Sequence, residues 1–128
     1  MTDPISIETD VVDGDVLVIR VRGDLDSFTT KEFEKQIAAH LDAGRTKVII
    51  DCTFLGFISS VGIGALVALQ TRLRRRGGTV KLAAVQGPTA EVLRLVRLDK
   101  VLDMHGDLEF ARKSFREESD DASRPRRP

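Results

Sequence analysis

Ser59 and Ser60 stand between the apolar run Lys47-Val48-Ile49-Ile50-Asp51-Cys52 and the segment Ala65-Leu66-Val67-Ala68-Leu69. Their spacing places them where the exit loop of a central strand meets a helix N-terminus. A hydroxyl there lies close to unpaired backbone N–H groups and to the positive end of the helix dipole, so a phosphate on it is stabilised. Phosphate acceptance is the chemistry that this position suits. Nucleophilic catalysis asks for more, namely a base beside the hydroxyl and a third group to orient it. His40 and His105 are the only imidazoles, and neither lies in a recognisable motif. The chain reads as a non-enzyme.

Other polar residues are ambiguous by themselves. Asp24 and Asp26, in Gly23-Asp24-Leu25-Asp26-Ser27, fit turn formation and charge before a helix, and equally fit recognition of a partner. Nothing converges on them as an acid/base pair. Ser60, Gly64, Ala68 and Arg72 recur every four residues and form one smooth helical stripe. Gly64 costs about 1 kcal/mol relative to alanine inside a helix, which either close packing within the domain or close approach by a partner justifies. Gly62-Ile63-Gly64 begins like a dinucleotide fingerprint, but Leu66 and Val67 stand where its third glycine belongs. Arg72, Arg74, Arg75 and Arg76 fit a helix C-terminus, where cations offset the dipole. A single cysteine, Cys52, excludes an internal disulfide and a multi-cysteine metal site, and its place in an apolar run reads as core. No metal and no cofactor are expected.

The 128 residues, 41% hydrophobic and 31% charged, suffice for one core and are too few for two ordinary domains. Twenty basic and twenty acidic side chains cancel, so no net field favours nucleic acid or an anionic membrane. The opening Met-Thr-Asp-Pro lacks the parts of a signal peptide, and no apolar stretch nears bilayer length, which predicts a cytoplasmic chain without membrane insertion. Ile5 and Ile7, then Val16 to Val21 after Asp13-Gly14, predict a hairpin. Thr29 with Glu32 reads as a capping box opening a first helix through Phe33, Ile37 and Leu41, stopped by Gly44. Val48 to Cys52 predicts a strand covered on both faces, and Ser60 to Arg76 a second helix ended by Gly77-Gly78. Val80, Leu82 and Ala84 predict a strand, Pro88 to Val96 a third helix, Val101 to Met104 a short edge strand, and Asp107 the cap of a last helix. These elements predict an α/β fold: a mixed, mostly parallel sheet of 4–5 strands with about four helices, in one domain over 1–116. Residues 117–128, with little to bury and two prolines, read as a disordered tail.

Gly23-Asp24-Leu25-Asp26 together with Phe57-Ile58-Ser59-Ser60-Val61-Gly62-Ile63-Gly64 resemble two motifs of the bacterial anti-sigma-factor antagonists, which are built on the STAS domain. The first looks like that family's Gly-Glu/Asp-Leu/Ile-Asp, the second like its Asp-Ser-Ser/Thr-Gly phosphorylation loop. Ser59 stands where many antagonists have the aspartate, and Val61 where they have a second serine or threonine. The resemblance implies partner switching in transcription regulation. The unphosphorylated protein binds an anti-sigma factor, itself a serine kinase, and frees the sigma factor. Phosphorylation by that kinase releases the partner until a metal-dependent serine phosphatase restores it. It carries the phosphorylated position to Ser60, with Ser59 as second candidate, and the partner surface to Asp24, Asp26, Ser59, Ser60, Val61, Gly62, Gly64 and Ala68. The same resemblance permits a non-switching STAS scaffold or a transporter accessory subunit.

Overall fold

The computed structural model describes residues 5–123, with side chains described through Glu118. Strands β1 (Ser6–Val12) and β2 (Val16–Leu25) form the predicted hairpin, joined by a turn in which Asp13 and Gly14 take left-handed φ of 52° and 85°. Helix α1 (Thr29–Asp42) follows, then β3 (Lys47–Ile58), α2 (Ser60–Arg74), β4 (Thr79–Ala83), α3 (Gly87–Leu95), a short 3-10 turn over Leu98–Lys100, β5 (Asp103–His105) and α4 (Leu108–Ser123). The five strands lie in chain order, β1 antiparallel to β2 and the rest parallel. This is the mixed, mostly parallel α/β sheet that the alternation of elements predicts.

Strand alternation divides the core between the two faces of the sheet. Leu17, Ile19, Val48, Ile50, Val80 and Leu82 face Phe33, Ile37 and Leu41 of α1, Leu66, Leu69 and Leu73 of α2, and Leu93 of α3. Val16, Val18, Ile49 and Ala83 face Ala111 and Phe115 of α4. The β-branched run Val48-Ile49-Ile50 is thus covered on both sides, which is why it reads as continuously apolar.

Two local devices differ from expectation. Thr29 opens α1 but does not cap it. Asp26 accepts hydrogen bonds from the amides of Phe28 at 2.8 Å and Thr29 at 2.9 Å, while the Thr29 hydroxyl accepts from the Asp26 amide at 2.9 Å and donates to the Asp24 carbonyl. With the Asp26 carboxylate on two orphan amides and the Thr29 hydroxyl turned back to Asp24 and Asp26, the Thr29–Glu32 pairing does not form, and Glu32 accepts from Gln36 Nε2 at 3.0 Å instead. The second difference is α4, which runs on through Ser123, so the boundary placed at residue 116 falls inside a helix. The cause lies in β4. Lys81 is fully buried under α4, and its ammonium reaches Asp103 at 2.9 Å, Ser114 at 2.7 Å and Glu118 at 2.7 Å. A buried ammonium needs such partners, and Glu118, assigned to the tail, is recruited as one. The remainder of the predicted tail, 124–128, lies outside the described residues.

Candidate functional site

Three features seat the N-terminus of α2 against the ends of β2 and β3. The Ser59 amide donates to the Leu25 carbonyl at 2.8 Å, tying the loop to β2. The Ser59 hydroxyl accepts from the Gly62 amide at 3.2 Å, an N-cap in extended conformation. Gly62 is buried, and a Cβ there would come within 2.8 Å of Ile58 Cγ1 and 2.9 Å of the Leu25 carbonyl oxygen. Behind this end, buried Gln70 accepts from the Val80 amide at 2.8 Å and donates to the Val101 carbonyl at 3.1 Å, which ties α2 to β4. The helix cannot rotate without breaking these bonds.

Within that frame the two serines differ. Ser59 is half-buried and engaged as a cap. Ser60 is exposed, opens the helix, and makes no side-chain hydrogen bond among the described residues. The first turn of α2 holds no acidic residue, so nothing there offsets the helix dipole. Gly64 and Ala68 continue the exposed stripe from Ser60, and a Cβ on Gly64 would meet nothing within 4 Å. Internal packing therefore gives no reason for that glycine. Val61 is 47% exposed beside it.

The aspartates also part. Hydrogen bonds from the Thr29 and Phe28 amides hold the Asp26 carboxyl below the usual carboxylate value, so this side chain is committed to the start of α1. Asp24 is exposed, and its carboxylate accepts no hydrogen bond among the described residues. The parallel pairing of β2 with β3 brings this loop and the serine loop to one sheet edge, as Leu25 opposite Ile58 shows.

The sequence profile of the STAS domain matches residues 6–111. The chain belongs to the STAS domain family. It is 25% identical over 107 residues to BtrV of Bordetella bronchiseptica, by name an anti-sigma factor antagonist, covering 84% of this chain and 91% of that one. Among solved structures, an anti-sigma factor antagonist from Mycobacterium paratuberculosis superposes with a TM-score of 0.80 at 27% identity, over 91% of this chain and 99% of that one. The Bacillus antagonist SpoIIAA, solved unphosphorylated and phosphorylated, gives TM-scores of 0.75 and 0.68, both at 22% identity. The two structures cover 87% and 86% of this chain, and 96% and 99% of theirs.

Two exposed aromatics on this STAS domain escape a reading of the sequence. Phe57 is 55% exposed and Phe28 77% exposed, at the ends of β3 and before α1. Phe57 lies inside the serine motif, and its alternation with buried Ile58 is the signal that points it outward. Phe28 follows two turn residues and carries no such pattern. The remaining candidates sit elsewhere. His105 Nε2 lies 3.1 Å from Asp103, and no hydrogen bond joins either histidine to the serines among the described residues. Burial pushes the Cys52 thiol up to about 12, as a core residue requires. Arg76 donates to the Leu41 carbonyl at the end of α1, and Arg72 pairs with Asp42 at 3.3 Å. Among the described residues no group of three His, Cys, Asp or Glu side chains can hold a metal ion, and no helix is long and apolar enough to cross a membrane.

Proposed function

We propose that this STAS domain is an anti-sigma-factor antagonist that binds a serine-kinase anti-sigma factor through the edge around Ser60, and that phosphorylation of Ser60 switches it off. The observation that carries the reading is the inequality of the serines: Ser60 is exposed with an unengaged hydroxyl, whereas Ser59 caps the helix. The relatives' names support the partner class. In the transfer, the Ser60 Oγ attacks the γ-phosphorus of ATP, ADP leaves, and the serine proton passes to a base on the kinase.

A phosphate adds about 1.5 to 2 negative charges. In the free domain those charges face the uncompensated N-terminus of α2 and water, and the fold tolerates them. Against a partner, the same group would be desolvated among Phe28, Phe57 and Val61, close to Asp24. Burying a poorly paired charge weakens binding by about 2 to 5 kcal/mol. Release then follows without refolding, and a metal-dependent serine phosphatase would reset the surface.

The test is phosphosite mapping by tandem mass spectrometry after incubating the protein with ATP and lysate of its source cells, with Ser60→Ala alongside. Phosphate on Ser60 that disappears in the variant is the expected result. Absence of phosphate from both serines in kinase-active lysate would leave the non-switching scaffold or transporter subunit in its place.

A further inference from the structure

β3 carries a bulge opposite Asp24. Gly23 pairs with Leu55 and Leu25 with Ile58, so one residue of β2, Asp24, faces two of β3, Gly56 and Phe57. Bulges of this kind re-aim side chains. Phe57 is turned to solvent, and Gly56 comes to lie under the Asp24 side chain. A Cβ on Gly56 would stand 2.6 Å from Asp24 Oδ1, with no atom outside the Asp24 carboxylate closer than 3.8 Å. Gly56 is not among the residues with positive φ, so its φ does not call for glycine. What glycine supplies here is room for a carboxylate. Gly23, within β2 and opposite Leu55, takes a φ of 110° just before Asp24. The Asp24 carboxylate has no hydrogen-bond donor among the described residues, in contrast to Asp26.

We propose that Gly56 is a positioning residue. By carrying no side chain in the bulge it lets the Asp24 carboxylate lie across β3, one residue from the Leu25 carbonyl that binds the Ser59 amide. There the carboxylate receives a cationic side chain, lysine or arginine, of the protein that engages Ser60. This rests on the phosphorylation reading and names the chemistry by which that partner is held.

The rate of Ser60 phosphorylation in ATP-supplemented lysate of the source cells is compared for the wild type, Gly56→Ala, Asp24→Ala, their double variant, and Gly56→Ala with Asp24→Glu. Each single variant is expected to slow the rate about fivefold, the scale of one exposed ion pair. The double variant is then no slower than either single one. Asp24→Glu restores part of the rate, because one more methylene carries the carboxylate past the new methyl group. Thermal melting of Gly56→Ala stays level or rises, since alanine loses less backbone entropy in a strand. A wild-type rate in Gly56→Ala overturns the proposal, as does an equal slowing by Gly56→Ala when Asp24 is already alanine. A wild type that takes no phosphate on Ser60 overturns the phosphorylation reading first, and this inference with it.

Discussion

Adjacent hydroxyls at one helix end carry different loads, and stability measurements separate them. Ser59 satisfies the Gly62 amide. Ser59→Ala is expected to cost about 1 kcal/mol, the usual worth of an N-cap. The Ser60 hydroxyl makes no hydrogen bond among the described residues, so Ser60→Ala should stay within about 0.5 kcal/mol of the wild type. Ser60→Asp should be level or slightly more stable, because an anion in the first turn gains about 0.3 to 1 kcal/mol from the dipole. Urea denaturation of the three variants checks this ordering. A loss with Ser60→Asp larger than that with Ser59→Ala would mean that a charge at Ser60 disturbs the fold, and release of a partner would need another explanation. The two aspartates divide in the same way, Asp26 to the start of α1 and Asp24 to the surface. Either residue type in such a loop fits both uses, so the sequence left them equivalent.

At the scale of an element, α2 holds two glycines whose substitutions should act in opposite directions. A methyl group on Gly62 meets Ile58 and Leu25 at 2.8 to 3.0 Å, and overpacking of this kind costs about 1 to 3 kcal/mol. A methyl group on Gly64 meets open space, and helix propensity alone favours Gly64→Ala by up to about 1 kcal/mol. Chemical denaturation of both variants is expected to show the opposite signs. The same loss in both would mean that Gly64 also packs inside the domain. Spacing shows both residues as helix glycines, and their difference depends on where the end of β2 lies. The bulges of β3, between Asp51 and Phe54 and between Leu55 and Ile58, were equally invisible, because an extra residue appears only once a strand has a partner to count against.

Across the whole molecule, α4 is fastened by charge to two distant elements, the β1–β2 turn and β4. Arg112 and Arg116 hold Asp13 in the hairpin turn at 3.1 and 3.3 Å, and Lys81 binds Glu118, Ser114 and Asp103. Hydrogen bonding to Arg112 lowers the Asp13 carboxyl below its usual value of 3.8. Burial pushes Asp103 up, and the hydrogen bond from Lys81 together with the nearby His105 ring more than offsets it, so that carboxyl is also lowered. Groups depressed in the folded state stabilise it fully above the unfolded value, and lose that contribution as pH falls through the folded value. The melting temperature should therefore be level from pH 7 to about 5 and fall below about 4, with α4 loosening as Lys81 loses the Asp103 charge and Arg112 the Asp13 charge. Thermal melts at pH 7, 5, 4 and 3 test this, and a melting temperature unchanged at pH 3 would refute it. Apolar periodicity and turn residues by themselves determined the strand and helix order, the hairpin, the parallel crossovers and the loop that carries the serines, because burial of one face per element leaves a repeating trace in the chain. Tertiary structure alone decided which serine is free, which aspartate is spent, why Gly62 is confined, and how far α4 extends. Each of those depends on a partner distant in sequence, Leu25 for the helix end and Lys81 for Glu118, and no local pattern records such a partner.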